Sequence, residues 1–168
     1  NLPQGSYTVT VTDVNTCVSS TNVNITQPAI LSASLNATNV TCNGANDGTI
    51  SITASAGGYG TYEYSINGGS TWQSSGAYSN VANGTYNVQM RDAAHTACIV
   101  TLNGTLMITQ PTVLSANINA TNVTCNGAND GSISITSPAG GYGTYQYSIN
   151  GGGTWQDTGS YTGLANST

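Results

Sequence analysis

A repeat with a period of 83 residues constrains this chain more than any other feature of its sequence. The segment NATNVTCNGANDGT at residues 36–49 returns as NATNVTCNGANDGS at residues 119–132. The same offset relates GGYGTYEYSINGG, which begins at Gly57, to GGYGTYQYSINGG, which begins at Gly140. Self-similarity at a fixed period indicates one folding unit that is used several times in succession. The fold must therefore be one that about 83 residues can form.

The repeat also sets the boundaries along the chain. ITQP at residues 25–28 recurs at residues 108–111, so we place the end of a repeat at each of these motifs. We therefore predict the C-terminal part of one repeat (1–28), a complete repeat (29–111) and the N-terminal part of the next repeat (112–168).

The two partial repeats are complementary in sequence. GSYTVTVTD at residues 5–13 matches GTYNVQMRD at residues 84–92, and the two partial pieces together have about the length of one repeat. Two arrangements fit this pattern. Either the chain is a segment of a long tandem array in one secreted polypeptide, or neighbouring molecules complete each other head to tail by strand donation. Both predict neighbouring repeats or protomers as partners in a filament.

Apolar and polar residues alternate along most of the complete repeat. Runs with this period of two begin at Leu31, Ile50, Tyr62, Tyr86 and Cys98. Each run is short and ends in Gly, Asn, Asp or Pro, which is typical of half-buried antiparallel strands. No run has the 3.6-residue period of a helix. Six or seven short strands in about 83 residues predict an all-β chain of tandem immunoglobulin-like β-sandwich repeats.

Two local signals predict details of this sandwich. Asn67-Gly68 lies between two apolar runs and predicts a type I′ hairpin turn, which needs positive φ at both central residues. Tyr86 follows a corner sequence, as does Tyr7 in the first partial repeat. This placement resembles the tyrosine corner of immunoglobulin-like folds, in which the hydroxyl bonds back to the corner backbone.

The charge composition excludes several classes of function. The chain has no Lys, Arg91 is its only strong cation, and six residues are Asp or Glu. Binding to phosphate backbones or anionic lipid needs clustered Lys and Arg, so we predict no nucleic-acid partner. No apolar run approaches the length of a membrane span, so we predict no direct membrane insertion. Only 4% of the residues are charged, and a polar but uncharged β surface suits an extracellular protein.

The order of motifs is distinctive. VTCNGANDGTISI is followed by GGYGTYEYSI, NGTYNVQMRD, a cysteine and ITQP. This order resembles the SprB-type repeat of Bacteroidota cell-surface proteins, which include the gliding-motility adhesin. The resemblance covers the complete repeat and both partial ones. It implies export by type IX secretion, display on the extracellular cell surface, and a structural or adhesive role in a long surface filament or stalk.

The CNGANDG stretch is either a calcium loop or a tight connection between strands. The residues that would bind calcium are Asn43, Asn46, Asp47, Asn126, Asn129 and Asp130. Calcium takes about six to eight oxygen ligands, several of them usually carboxylate, and each loop offers one Asp. We therefore favour a tight connection in which Gly and Asn adopt positive φ and the Asp accepts backbone hydrogen bonds. We predict no metal or other cofactor.

The four cysteines suggest disulfides, because the chain is predicted to be secreted. A bond between Cys42 and Cys98 would lie within the complete repeat, and we favour it because a self-contained unit is simpler. The alternative joins Cys17 to Cys42 and Cys98 to Cys125, across each TQP boundary. Zinc is disfavoured because the sequence has no C-x-x-C pair.

Aromatic residues near the predicted turns could form a platform for sugar rings. The candidates are Tyr59 and Trp72, with Tyr142 and Trp155 as their copies in the next repeat. Exposed aromatics mark binding sites, although aromatics that cover a core share the same sequence pattern. The alternative function is therefore a carbohydrate-binding module whose partner is a surface polysaccharide.

No catalytic constellation is present in the repeat. His95 lies in a segment where the repeats differ in length, and no Ser or Cys has a base at a fixed position in each copy. We therefore predict that the chain is not an enzyme.

Overall fold

The computed structural model describes residues 1–165, and these residues form strands and no helix. The all-β prediction is confirmed. The eleven strands are β1 (Gly5–Thr12), β2 (Val18–Ile25), β3 (Ser32–Thr38), β4 (Gly48–Ala56), β5 (Tyr62–Ser65), β6 (Ala77–Val81), β7 (Gly84–Asp92), β8 (Ile99–Ile108), β9 (Ser115–Thr121), β10 (Gly131–Ala139) and β11 (Ser160–Leu164).

These strands form four small sheets. β1 pairs with β2 in a hairpin, and the other three sheets have the strand orders β3-β4-β6, β5-β7-β8 and β9-β10-β11. The internal repeat relates these sheets to one another. The sheet β9-β10-β11 corresponds in sequence to β3-β4-β6, and the hairpin β1-β2 corresponds to β7-β8.

The chain forms two compact units. The first comprises Asn1–Asn36, Ile50–Tyr78 and Thr85–Leu106. The second comprises Ala37–Thr49, Ser79–Gly84 and the residues from Met107 onward. The second unit thus combines the third repeat with three segments of the complete repeat, namely 37–49, 79–84 and 107–111, and the first of these carries the first CNGANDG loop.

The core of the first unit lies between the two sheets of the complete repeat. Its buried members are Leu31, Ile52, Tyr64, Val88 and Met90. Both sheets supply buried side chains to this one cluster, which is the two-layer packing of a β-sandwich.

The alternation of β7 explains its place in that core. Val88, Met90 and Asp92 are completely buried, whereas the residues between them are partly exposed. Successive side chains in a strand point to opposite faces, so one face of β7 packs inward along its whole length. Asp92 differs from Val88 and Met90 because its buried side chain is a carboxylate.

The partial repeats leave the equivalent apolar positions uncovered. Val11, which corresponds in sequence to Met90, is 68% exposed. Leu114 corresponds to Leu31 and is 67% exposed, against 9% for Leu31. Each of these side chains belongs to a strand pattern that is completed only in the whole repeat. The same positions of the repeat are therefore buried in the complete repeat and exposed in the two partial ones.

The local predictions had different outcomes. The hydroxyl of Tyr7 donates to the carbonyl of Pro3 at 2.8 Å, so the tyrosine corner is formed in the first repeat. The prediction of a type I′ turn at Asn67-Gly68 is wrong in its placement, because positive φ occurs at Gly68 and Gly69 and not at Asn67. The hydroxyl of Ser65 accepts the amide of Gly69 at 2.9 Å, and this bond stabilises a longer loop.

Candidate functional site

The CNGANDG loop has the same backbone in both copies. In the first copy Gly44 and Asn46 have positive φ of 79° and 53°, and the amide of Ala45 donates to the carbonyl of Cys42 at 3.1 Å. In the second copy Gly127 and Asn129 have φ of 81° and 51°. Gly and Asn tolerate this left-handed region better than other residues, so the sequence itself favours the turn.

Each loop is closed by its Asp. One carboxylate oxygen of Asp47 accepts the backbone amide of Thr41 at 2.8 Å, and the other accepts the Thr41 hydroxyl. Asp130 makes the same pair of contacts with Thr124, at 2.9 Å and 2.6 Å. Hydrogen bonds to an ionised carboxylate stabilise its charged form. The Thr hydroxyl first, and then the Thr amide, therefore lower the pKa of Asp47 and of Asp130.

The lowered pKa values of Asp47 and Asp130 predict that the chain loses stability in acid. Because the folded pKa of Asp47 and Asp130 lies below the unfolded value near 3.8, the unfolded chain binds more protons in that range. Their contribution to the free energy of unfolding is complete above the unfolded pKa. It is lost as the pH falls through the folded pKa. We expect the melting temperature to hold from pH 7 to about pH 5 and to fall below pH 4. Thr41→Val removes one hydroxyl donor and should weaken this dependence, whereas an unchanged acid transition in that variant would contradict the assignment.

Three of the six candidate calcium ligands, Asn43, Asp47 and Asp130, have hydrogen-bond partners within the protein. The side-chain nitrogen of Asn43 donates to the carbonyl of Pro111 at 2.9 Å. Asn46 supplies the positive-φ position of the turn, and Asp47 is occupied by Thr41. Among the described residues, no three His, Cys, Asp or Glu side chains are grouped as a metal site would require.

The first loop contacts the linker that leads into the third repeat. The amide of Gly44 donates to the side-chain carbonyl oxygen of Gln110 at 2.9 Å. Two further bonds join Asn39 and Val40 to Thr109: the Thr109 amide donates to the Asn39 side chain at 2.9 Å, and the Val40 amide donates to the Thr109 carbonyl at 3.0 Å. With the bond from Asn43, four hydrogen bonds fix the TQP linker to the loop.

The third repeat adds a contact of its own. The hydroxyl of Tyr142 donates to the carbonyl of Val40 at 2.9 Å. Tyr142, Leu114 and Cys42 also line a cleft of about 400 Å³ between the loop, the segment before β9 and the turn after β10. We call these four linker bonds and the Tyr142 bond the repeat joint. All of its residues belong to the second compact unit.

The Tyr142 bond can be tested by removing one oxygen atom. Tyr142→Phe keeps the ring and deletes the donor, so we expect the free energy of unfolding to fall by about 1 kcal/mol. The matched control is Tyr59→Phe in the complete repeat, because the Tyr59 hydroxyl bonds nothing in the described part of the chain. Urea denaturation should show no significant loss in the control. Equal losses in the two variants would rule out a specific contribution from the repeat joint.

The aromatic candidates have varied surroundings. The ring of Tyr59 stacks on His95 with centroids 4.0 Å apart, and the guanidinium of Arg91 lies 4.3 Å from the centre of the Trp72 ring. Arg91 also forms an ion pair with Glu63 at 2.7 Å. Trp155 is exposed. The structure thus places Tyr142 in the repeat joint, whereas the Trp155 ring is exposed to solvent.

None of the predicted disulfides is formed. Cys17, Cys42, Cys98 and Cys125 are all free thiols, and all four are exposed. Neither the bond from Cys42 to Cys98 nor the alternative pairs across the TQP boundaries is present. Cys42 lines the cleft of the repeat joint, and Cys98 lines a separate cleft in the first unit.

Sequence reasoning missed most of the joint. Gln110, Asn39 and the Tyr142 hydroxyl did not stand out, because Gln and Asn are abundant in this chain. One signal was available: the Gln before each boundary Pro recurs at the repeat offset, at Gln27 and Gln110. A polar side chain fixed at a boundary is a candidate for contact with the neighbouring repeat.

Buried Asp92 organises the end of β7. Its carboxylate accepts the amides of Tyr59, Ala94 and His95 at 2.5, 2.9 and 2.9 Å. These bonds, with that from Tyr59 the largest, lower the pKa of Asp92 against the opposing effect of burial. The carboxylate therefore fixes the Gly58-Tyr59 corner to the turn that follows β7.

Comparison with protein families identifies the repeat. The family model described as the SprB repeat matches residues 34–71 and again residues 117–154. The chain therefore contains two segments that match the SprB repeat. Both matches begin just before a CNGANDG loop and run through the GGYG segment, so the loop is part of the SprB repeat itself. Searches of curated proteins and of solved structures gave no match.

The SprB matches give a coarse functional class. SprB repeats are repeat modules of cell-surface proteins and not an enzyme family. In the part of the chain that the structure describes, no helix is long and apolar enough to cross a membrane.

Proposed function

We propose that this chain is a structural module of a long extracellular filament or stalk, in which SprB repeats are joined end to end. The observation that carries the proposal is the repeat joint. The CNGANDG loop of one repeat bonds the linker, and Val40 just before that loop bonds a Tyr of the following repeat. A module that served only as an isolated binding domain would not need such contacts.

The joint uses backbone groups and uncharged side chains. Its donors and acceptors include the Gly44 amide, the Pro111 carbonyl and the Gln110 amide group. Salt screens interactions between exposed charges but has little effect on neutral hydrogen bonds of this kind. A stalk outside the cell meets variable ionic strength, and a joint without charges suits that setting.

The finer role that we propose is surface attachment, including attachment during gliding motility. Many near-identical repeats would extend the adhesive end from the cell and multiply weak contacts along the stalk. Linked weak sites bind far more tightly than single ones when geometry allows simultaneous contact. Type IX secretion is the export route that the family resemblance implies.

Surface display is tested on cells that make the parent protein. An antibody raised against the folded chain should label intact cells, and mild proteolysis of intact cells should remove the label. Immunogold microscopy should place the label along extended structures. Label that appears only after the cells are opened would contradict the proposal.

The second candidate function is carbohydrate binding. The observation that favours it is the open ring of Trp155, together with the exposed Tyr59. Affinity electrophoresis in gels containing surface polysaccharide should then retard the chain, and Trp155→Ala should remove most of the retardation. Trp72→Ala is the comparison, because Arg91 covers that ring. Unretarded migration of the unmodified chain would exclude this function for the polysaccharide used.

A further inference from the structure

Two clefts that contain cysteines are built from the same positions of the repeat. The cleft in the first unit contains Cys98 and is lined by Pro28, Ala29, Ile30, Leu31 and Gly58. The cleft in the second unit contains Cys42 and is lined by Pro111, Thr112, Val113, Leu114 and Gly141. The second set is the first set moved by one repeat of 83 residues. We call these equivalent lining residues the wall of the repeat. The wall faces Cys98 in one cleft and Cys42 in the other.

The two cysteines differ in which repeat supplies them. Cys98 belongs to the same repeat as the wall that it faces. Cys42 belongs to the repeat before the wall that it faces. In two consecutive complete repeats, two cysteines would face the wall of the second repeat. One is the cysteine after β7 of the second repeat, and the other is the CNGANDG cysteine of the first.

Hydrogen bonds place both cysteine segments at one Gly-Tyr corner. In the complete repeat, the Tyr59 amide donates to Asp92, whose own amide donates to the Cys98 carbonyl at 3.0 Å. In the third repeat, Tyr142, the equivalent of Tyr59, donates to Val40, two residues before Cys42. The same corner thus holds the end of β7 on one side and the preceding loop on the other.

We propose that a disulfide joins the CNGANDG cysteine of each repeat to the cysteine after β7 in the next repeat. Where the same repeat continues on both sides, the partner of Cys42 is the cysteine 83 positions after Cys98, and the partner of Cys98 is the CNGANDG cysteine of the repeat before. No two of the four cysteines in residues 1–168 are partners in this scheme. The scheme therefore requires all four thiols of this chain to be free and exposed, and they are.

The bond forms by ordinary thiol–disulfide exchange. One thiolate attacks a small disulfide oxidant such as oxidised glutathione and releases one thiolate of that oxidant. The second cysteine thiolate then attacks the mixed disulfide and releases the other. The two cysteines lose two protons and two electrons, and the oxidant is reduced to two thiols. Cys42 and Cys98, which represent the two kinds of cysteine, are both exposed, so the oxidant can reach each kind.

The proposal rests on the tandem order of repeats and not on the stalk function. Its test needs two complete repeats, which the full chain provides when residues 86–111 are added again after Thr168. After oxidation in a glutathione buffer, the chain is alkylated, digested with chymotrypsin without reduction, and mapped by mass spectrometry. We expect Cys42 joined to the added cysteine, with Cys17, Cys98 and Cys125 alkylated as free thiols.

Matched variants make the test decisive. Cys42→Ser should abolish the disulfide, whereas Cys125→Ser, the same position one repeat later, should leave it intact. A bond from Cys42 to Cys98 or to Cys17 would overturn the proposal. So would a free Cys42 in an extended chain whose urea transition shows it to be folded. Surface labelling of cells is unaffected by these results, so the proposed function can fail or hold separately.

Discussion

Met90→Ala is expected to lower the free energy of unfolding by about 2–5 kcal/mol. Met90 is completely buried in β7 and packs in the core between the two sheets of the complete repeat. Truncation removes apolar contacts and leaves a cavity that the surrounding strands fill only in part. Urea denaturation followed by circular dichroism measures the change.

The control for Met90 comes from the first partial repeat. Val11 occupies the equivalent position in β1 and is largely exposed. Val11→Ala should change the free energy of unfolding by less than about 0.5 kcal/mol, as is usual for surface substitutions. A large loss from Val11→Ala would mean that the face of β1 is covered in solution, for example by a second molecule.

Gly57→Ala is expected to destabilise the chain by about 3 kcal/mol or more, because two effects add. Gly57 has a φ of 84°, where a side chain is strained. A Cβ there would also lie 2.1 Å from the carbonyl oxygen of Ile30, so the backbone before β3 would have to move. The loss should appear as a lower urea midpoint.

Gly60→Ala separates the two effects. Gly60 has a similar φ of 91°, but a Cβ there would meet no atom within 4 Å. This variant should show only the conformational cost, roughly 1–2 kcal/mol. Equal losses in the two variants would contradict the close approach between Gly57 and Ile30.

Alternation made the strands predictable from sequence. The period of two located the apolar face of β7 and the strands around it, because a half-buried strand shows its burial directly in residue order. Asp92 breaks that pattern, since it is a carboxylate on the buried face. The amides of Ala94 and His95 that bind it lie close in sequence, but the Tyr59 amide comes from a segment that only the fold brings to Asp92.

The contacts between repeats were less accessible to sequence reasoning. The CNGANDG motif suggests a metal loop or a plain turn when it is considered alone. Its outward bonds to Gln110 and Pro111 connect residues more than 60 positions apart. The cysteines show the same difficulty, because sequence alone did not decide between a bond within the complete repeat and bonds across the TQP boundaries. The clefts instead place Cys98 beside residues of its own repeat and Cys42 beside the equivalent residues of the following repeat.

Amide hydrogen exchange at Gly44 and Gly127 tests the repeat joint most directly. Both glycines lie in the identical sequence CNGAND, so their intrinsic exchange rates match. The Gly44 amide is bonded to Gln110, whereas the Gly127 amide has no acceptor within the described residues. We expect Gly44 to exchange roughly fivefold more slowly, as one hydrogen bond of about 1 kcal/mol implies, and Gln110→Ala to remove the difference. Equal rates in the unmodified chain would contradict a joint formed by this loop.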